Sequence, residues 1–189
     1  RRNQCTAIGV CPHATAIGRY ANVMNMRSIK WLVILAGFGM SAGCLAAVVG
    51  AAAPAFALPD RDARTVSLAS AHGEVVYVDF WASWCGPCRK SFPWMNAMQQ
   101  KYGAQGFRVI AINVDKRRSD ADRFLAQLPA QFTTLFDAAG ATPAAYDVKA
   151  MPSSVLIDTN GNVSLVEEGF RDERRDELEA RIRALLPHT

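Results

Sequence analysis

Cys85 and Cys88, separated only by Gly86 and Pro87, are the residues of this 189-residue chain best suited to chemistry. Disulfide exchange needs a thiolate that can reach a foreign disulfide and a second thiol that resolves the mixed disulfide. A Cys-x-x-Cys pair at a helix start supplies both. Unpaired backbone N–H groups and the helix dipole there stabilise S⁻ and lower its pKa. The pattern places Cys85 in the first turn, as the attacking thiol. Cys88 follows one turn on, as the resolving thiol. Pro87 suits a first turn, because the N–H it lacks would have no partner there. Other uses of the pair fit less well. Zinc needs a second pair of ligands, and the histidines are only His13, His72 and His188. Covalent haem attachment needs His after the second Cys, where Arg89 stands. A structural disulfide closing so short a loop stabilises little.

The elements that must position the pair are legible around it. Val75–Trp81 is a continuous apolar, β-branched and aromatic run, which predicts a strand buried on both faces. Asp79 interrupts it and needs either a buried role or a solvent-facing strand end. From Gly86 to Gly103 the spacing of Phe92, Met95, Met98 and Tyr102 predicts a helix with a kink at Pro93. Phe107–Val114 predicts a second buried strand. Ser119–Leu128 predicts a helix with Ser119 as N-cap. A short strand near 132–136 and a helical turn near 141–146 follow. Ser154–Asp158 and Val163–Glu167 flank Asn160-Gly161, a hairpin tip. A closing helix over 172–186 turns Leu178, Ile182, Leu185 and Leu186 to the sheet. Thr65–Leu68 reads as an edge strand. Parallel strands with crossover helices imply an α/β sheet covered on both faces. Reaction sites then fall at the carboxyl ends of strands, where Ala82–Cys88 lies.

The net charge of +4 invites a nucleic-acid reading, but its distribution argues against one. Beyond residue 57, 16 Lys and Arg face 17 Asp and Glu, a net of −1. The basic excess belongs to the front end. Met26-Arg27-Ser28-Ile29-Lys30 precedes an apolar run from Trp31 to Ala57 that closes on Ala55-Phe56-Ala57. This reads as a signal peptide cleaved after Ala57, and by length it also suits an uncleaved membrane anchor. Ser41-Ala42-Gly43-Cys44 offers a third reading, a lipidation site at Cys44, although the Leu usual three residues before the Cys is Ser41. The division is therefore a leader or misplaced start over 1–25, an export segment over 26–57 and one domain over 58–189. Cys5 and Cys11 have no zinc-like partners. With residues 1–57 removed, Cys85 and Cys88 are the only cysteines left.

The stretch Val78-Asp79-Phe80-Trp81-Ala82-Ser83-Trp84-Cys85-Gly86-Pro87-Cys88 resembles the thioredoxin signature. Pro93 stands where that family kinks its helix, Met151-Pro152 resembles its cis-proline loop, and Asn113-Val114-Asp115 also matches. With an export signal and about 25 extra residues before the cis-proline, the chain resembles the TlpA/ResA branch over 58–187. The resemblance implies a thioredoxin-like fold: a central mixed β-sheet, helices on both faces and a small insertion before the cis-proline. It implies an extracytoplasmic thiol–disulfide oxidoreductase, a monomer with no metal and no cofactor beyond the dithiol. Its partners would be protein disulfide substrates and a membrane thiol electron donor of the DsbD/CcdA type. Pro152 would be cis beside Cys85, leaving backbone near Met151 to pair with an extended substrate. Asp79 would lie buried beneath Cys88 and take its proton. Trp81 and Trp84 would pack around the pair, and Trp84, Gly86 and Pro87 would meet the substrate.

Some positions depart from family patterns. Cytosolic thioredoxins carry Lys opposite the buried Asp, where Ala111 stands here. Members devoted to cytochrome c maturation often have Asn or a small residue at position 79 and an acidic residue at position 91, where this chain has Asp79 and Ser91. Three functions compete: a reductase, favoured by Gly-Pro between the cysteines; an oxidase or isomerase of secreted proteins, disfavoured by the short insertion; and a copper chaperone, disfavoured by the Cys spacing and the missing His. A peroxidase would need Thr at position 82, which is Ala.

Overall fold

The strand that carries Asp79 lies at the centre of the sheet. The computed structural model describes residues 47–187. Within them the order is β1 (Ala57–Pro59), β2 (Thr65–Ser67), β3 (Val75–Trp81), α1 (Cys88–Tyr102), β4 (Phe107–Asn113), α2 (Arg118–Gln127), β5 (Thr133–Phe136), α3 (Ala141–Ala145), β6 (Ser153–Ile157), β7 (Val163–Glu168) and α4 (Arg175–Leu185). One sheet has the order β5-β4-β3-β6-β7, and β1 and β2 form a separate hairpin. The β3–β4 and β4–β5 pairs are parallel, whereas β6 runs antiparallel to both β3 and β7. The fold is thus the mixed α/β sheet of thioredoxin-like proteins.

Every residue of β3 is buried, as its unbroken apolar run requires. Side chains alternate between two faces. Val75, Tyr77 and Trp81 join Val109, Ala111 and Leu156 under residues of α1, α2 and α4. Val76, Val78 and Phe80 join Ile110, Ile112, Val155 and Ile157 on the other face, against Phe56 and Tyr146. Helix α1 continues through Pro93, whose ring removes one helical N–H. The β6–β7 hairpin turns at Gly161, where φ is 84°. The Asp158 carboxylate accepts from the Asn160 and Asn162 amides to hold that turn.

One expectation needs correction. Helix α2 starts at Arg118, not after a Ser119 cap, and its N-cap Arg117 gives no side-chain cap bond. Arg118 stacks 3.7 Å over the Phe136 ring and pairs with Asp122 at 2.9 Å, so the helical turn forms one residue earlier. Packing against the sheet also begins before Leu58. Gly50 N–H donates to Val163 O and Val163 N–H to Ala51 O, both at 2.8 Å, and Ala53 N–H to Gly161 O at 2.9 Å. Phe56 is only 8% exposed, and the Tyr146 hydroxyl donates to Pro54 O at 2.7 Å. The apolar stretch read as the tail of an export segment ending at Ala57 is therefore packed from Ala47 onward. Small apolar residues suit a signal peptide and a packed strap equally, so composition could not separate them. The leader over 1–25, the start near Met26, the apolar run to Ala46 and Cys44 lie outside the described residues, as does His188.

This packing has a measurable consequence. A chain beginning at Leu58 should unfold at lower urea than one beginning at Ala47. Phe56→Ala in the longer chain should cost about 3 kcal/mol in the same titration, from lost ring burial. Among the described residues no helix is long and apolar enough to cross a membrane.

Candidate active site

Strand β3 ends at Trp81, and the chain turns through Ala82–Pro87 into α1. Cys85 N–H donates to Ala82 O at 3.1 Å, closing the first turn. Cys85 and Cys88 are joined as a disulfide, with Cα atoms 5.4 Å apart. Cys85 is not in the helix. Pro87 is the N-cap and Cys88 the first helical residue. The helix start still serves Cys85, because Cys88 N–H donates to Cys85 Sγ at 3.2 Å. An orphan helix N–H aimed at this sulfur favours its thiolate form on reduction. Cys85 is 3% exposed and Cys88 is fully covered.

The loop beside the pair is tied to the end of β4. Ser83 N–H donates to Asp115 Oδ2 at 2.9 Å and Ser83 Oγ to Asp115 Oδ1 at 3.0 Å. The Asn113 side chain donates to Asp115 Oδ2 at 2.8 Å, and Val114 N–H donates to Trp81 O at 3.0 Å. Sequence reading assigned no role to Ser83 or Asp115. Their signal was a polar residue just past each of two adjacent buried strands. Asp115→Ala should lower stability in urea by about 1–3 kcal/mol, since buried donors lose their acceptor.

Asp79 lies on the face of β3 that α1 covers, opposite Ala111 on β4 and Ser154 on β6. It is 1% exposed, so the solvent-facing alternative does not hold. Its Oδ2 is buried without a hydrogen-bond partner. Burial holds the Asp79 carboxyl well above the usual carboxylate range. Ala111 brings no cation to offset that. The Tyr77 hydroxyl donates to Ser154 Oγ at 2.7 Å, two residues along the same face. Burial, with Asp79 as a further cause, pushes the Tyr77 phenol far above its ordinary value.

The peptide between Met151 and Pro152 is cis. Pro152 O accepts from Gly169 N–H at 2.8 Å, and Ser153 Oγ donates to Ala150 O at 2.8 Å. Met151 is half-buried and packs on both core clusters. The two tryptophans part ways. Trp81 is a core residue, its ring centroid 5.0 Å from Phe92 and 4.8 Å from Phe124. Trp84, next to Cys85 in the chain, is 71% exposed, so it does not pack around the pair. Gly86 and Pro87 are exposed, and a Cβ on Gly86 would meet nothing. Among the described residues no group of His, Cys, Asp or Glu is arranged to hold a metal ion.

A cystine at a helix N-terminus, set at the carboxyl end of the central strand of this sheet, is the working part of a thiol–disulfide oxidoreductase. The Redoxin family model matches residues 48–182. The chain belongs to that family, as a ResA/TlpA-like member of the thioredoxin superfamily. It is 31% identical over 150 residues to the thiol-disulfide oxidoreductase ResA of Geobacillus thermodenitrificans, covering 76% of this chain and 86% of that one. It is 32% identical to the Bacillus subtilis ResA, covering 66% of this chain and 69% of that one. A crystal structure from Chlorobium tepidum, given as a thiol:disulfide interchange protein DsbE, is similar at 55% identity with a TM-score of 0.72. That likeness covers 74% of this chain and 99% of the other.

Proposed function

We propose that this thiol–disulfide oxidoreductase works outside the cytoplasm as a reductase of protein disulfides. Disulfide exchange is supported by the helix N–H aimed at Cys85 Sγ, with the buried Asp79 Oδ2 unpaired on the covered face, and the reducing direction rests on Gly86-Pro87 between the cysteines. In the reduced protein the Cys85 thiolate attacks one sulfur of a substrate disulfide. The Cys85–substrate S–S bond forms as the substrate's own S–S bond breaks, and one substrate thiolate leaves. Asp79 takes the proton from Cys88, its raised proton affinity bringing it nearer to that of a thiol. The Cys88 thiolate then attacks Cys85 Sγ. This forms the Cys85–Cys88 disulfide and releases the second substrate thiolate. Two electrons have passed to the substrate. A membrane dithiol donor of the DsbD/CcdA type returns them, and the protein acts as a monomer.

Met151 backbone and exposed Trp84, Gly86 and Pro87 receive the substrate as an extended segment, with Pro152 bordering the pair. Export rests on the charged, then apolar, front end. Because residues from Ala47 are packed, we place any cleavage or anchoring point upstream of that residue, where Cys44 lies. The deciding experiment is the reduction potential against glutathione together with reduction of a protein disulfide. A potential near that of thioredoxin, about −270 mV, supports a reductase, and one near that of DsbA, about −120 mV, would make the protein an oxidase.

A further inference from the structure

Beyond the cystine, the charge on this surface is unevenly placed. Residues 58–189 are close to neutral as a whole. Yet the loop after β4 and the start of α2 carry Lys116, Arg117, Arg118 and Arg123, and Arg89 directly follows Cys88. All five are exposed; Asp120 and Asp122 pair with Arg117, Arg118 and Arg123, and Arg118 also donates to Arg61 O in the loop that carries Asp60 and Asp62. Asp115 is buried and occupied by Ser83 and Asn113. A cleft of about 210 Å³ runs between the two segments, lined by Ser83, Arg89, Asp120, Arg123, Phe124 and Gln127. Arg89 is fixed there by a bond to Gln127 Oε1 at 3.1 Å and by stacking 5.2 Å over the Phe124 ring. Asp120 holds Arg123 at 2.8 Å within the cleft and Arg117 at 2.9 Å beside it, and Arg89 and Arg123 against Asp120 leave the lining with one net positive charge. The Ser83–Asp115 bonds fasten this cleft to the loop that carries Cys85.

We infer that this cationic cleft selects the protein substrate: it takes an acidic polypeptide segment, Asp- or Glu-rich, flanking the disulfide to be reduced. Guanidinium groups held in place by carboxylate and aromatic partners bind a second carboxylate with little further ordering. The cleft's position one residue beyond the cystine lets the same segment present its disulfide to Cys85. Steering by such a patch raises the association rate of acidic partners and is lost in salt. The flatter alternative, adsorption to an anionic lipid surface, would not need a cleft beside the reacting sulfurs. The inference rests on the reductase reading above and adds a substrate class to it.

The test uses three synthetic peptides, each with one disulfide, flanked by acidic, basic or uncharged residues. Their reduction by the full chain is followed as kcat/KM. At about 20 mM salt the acidic peptide should be favoured over the basic one by about 10-fold, falling below about threefold at roughly 0.5 M salt. Arg117→Glu with Arg123→Glu should invert that ratio. Arg117→Gln with Arg123→Gln, which keeps side-chain length without charge, should bring it near unity. Equal rates for acidic and basic peptides with the wild-type chain would overturn the inference while the reductase reading stands. So would a ratio the variants do not change, or binding to phosphatidylglycerol vesicles without peptide discrimination. Failure to reduce even the uncharged peptide would overturn the reductase reading, and this inference with it.

Discussion

Cys88→Ser should accumulate a stable mixed disulfide between Cys85 and a partner protein, whereas Cys85→Ser should trap nothing and lose essentially all disulfide reduction. The asymmetry follows from the geometry. Cys85 receives the helix-start N–H and has the residual exposure, while Cys88 is covered from solvent. Removing the resolving thiol leaves the first exchange intact and blocks the second, so the covalent intermediate persists. Non-reducing electrophoresis of the two variants purified from the same host checks this, and reduction of the trapped band names the partner. Equal trapping by both variants would mean that either sulfur attacks, and the assignment of roles would fall. A broad set of secreted partners would point to an oxidase or isomerase instead.

Asp79→Asn should slow resolution of the mixed disulfide by about 100-fold, the usual size of a lost general base. The same substitution should stabilise the oxidised fold at pH 8 relative to pH 4, because the neutral amide has no proton to retain and no charge to bury as pH rises. The pH dependence has a definite sign. Burial raises the carboxyl pKa in the folded state, so on raising pH the unfolded chain releases this proton first. The folded state then binds more protons than the unfolded one, and stability falls as pH rises from the ordinary Asp value, about 3.9, toward the raised folded value. Above that the contribution is level. Urea titrations of wild type and Asp79→Asn across pH 4–9 should therefore converge at the acid end and separate toward the alkaline end. Parallel curves would show that Asp79 is paired by something the fold does not reveal.

The central strands and α1 were legible because their signals are strong and local. An unbroken β-branched and aromatic run means burial on both faces, and apolar residues at helical spacing mark one face of a helix. Asp79 was legible as an anomaly, since a carboxylate inside such a run demands a reason. Its neighbours were less so. That Ser154 and Tyr77 share its surroundings depends on the antiparallel register of β6 against β3, which no local pattern encodes. The Ser83–Asp115 tie likewise joins two loops 32 residues apart. The packing of the stretch before Leu58 was not legible because composition there is ambiguous and several of its partners, Tyr146, Gly161 and Val163, lie far along the chain.

That strap also bears on how the chain reaches this state. Its hydrogen bonds join Gly50, Ala51 and Ala53 to Gly161 and Val163, closing a loop that contains β3, the cystine and the cis-proline. Nothing can complete this edge of the sheet until nearly the whole polypeptide has emerged. Contacts of such long sequence separation are reached slowly, because the entropy of closing the loop precedes any gain from it. This part of the packing accordingly closes late, and a chain stopped short of Gly161 leaves Gly50 and Ala53 without their partners, while Pro54 and Phe56 keep Tyr146 and Leu68.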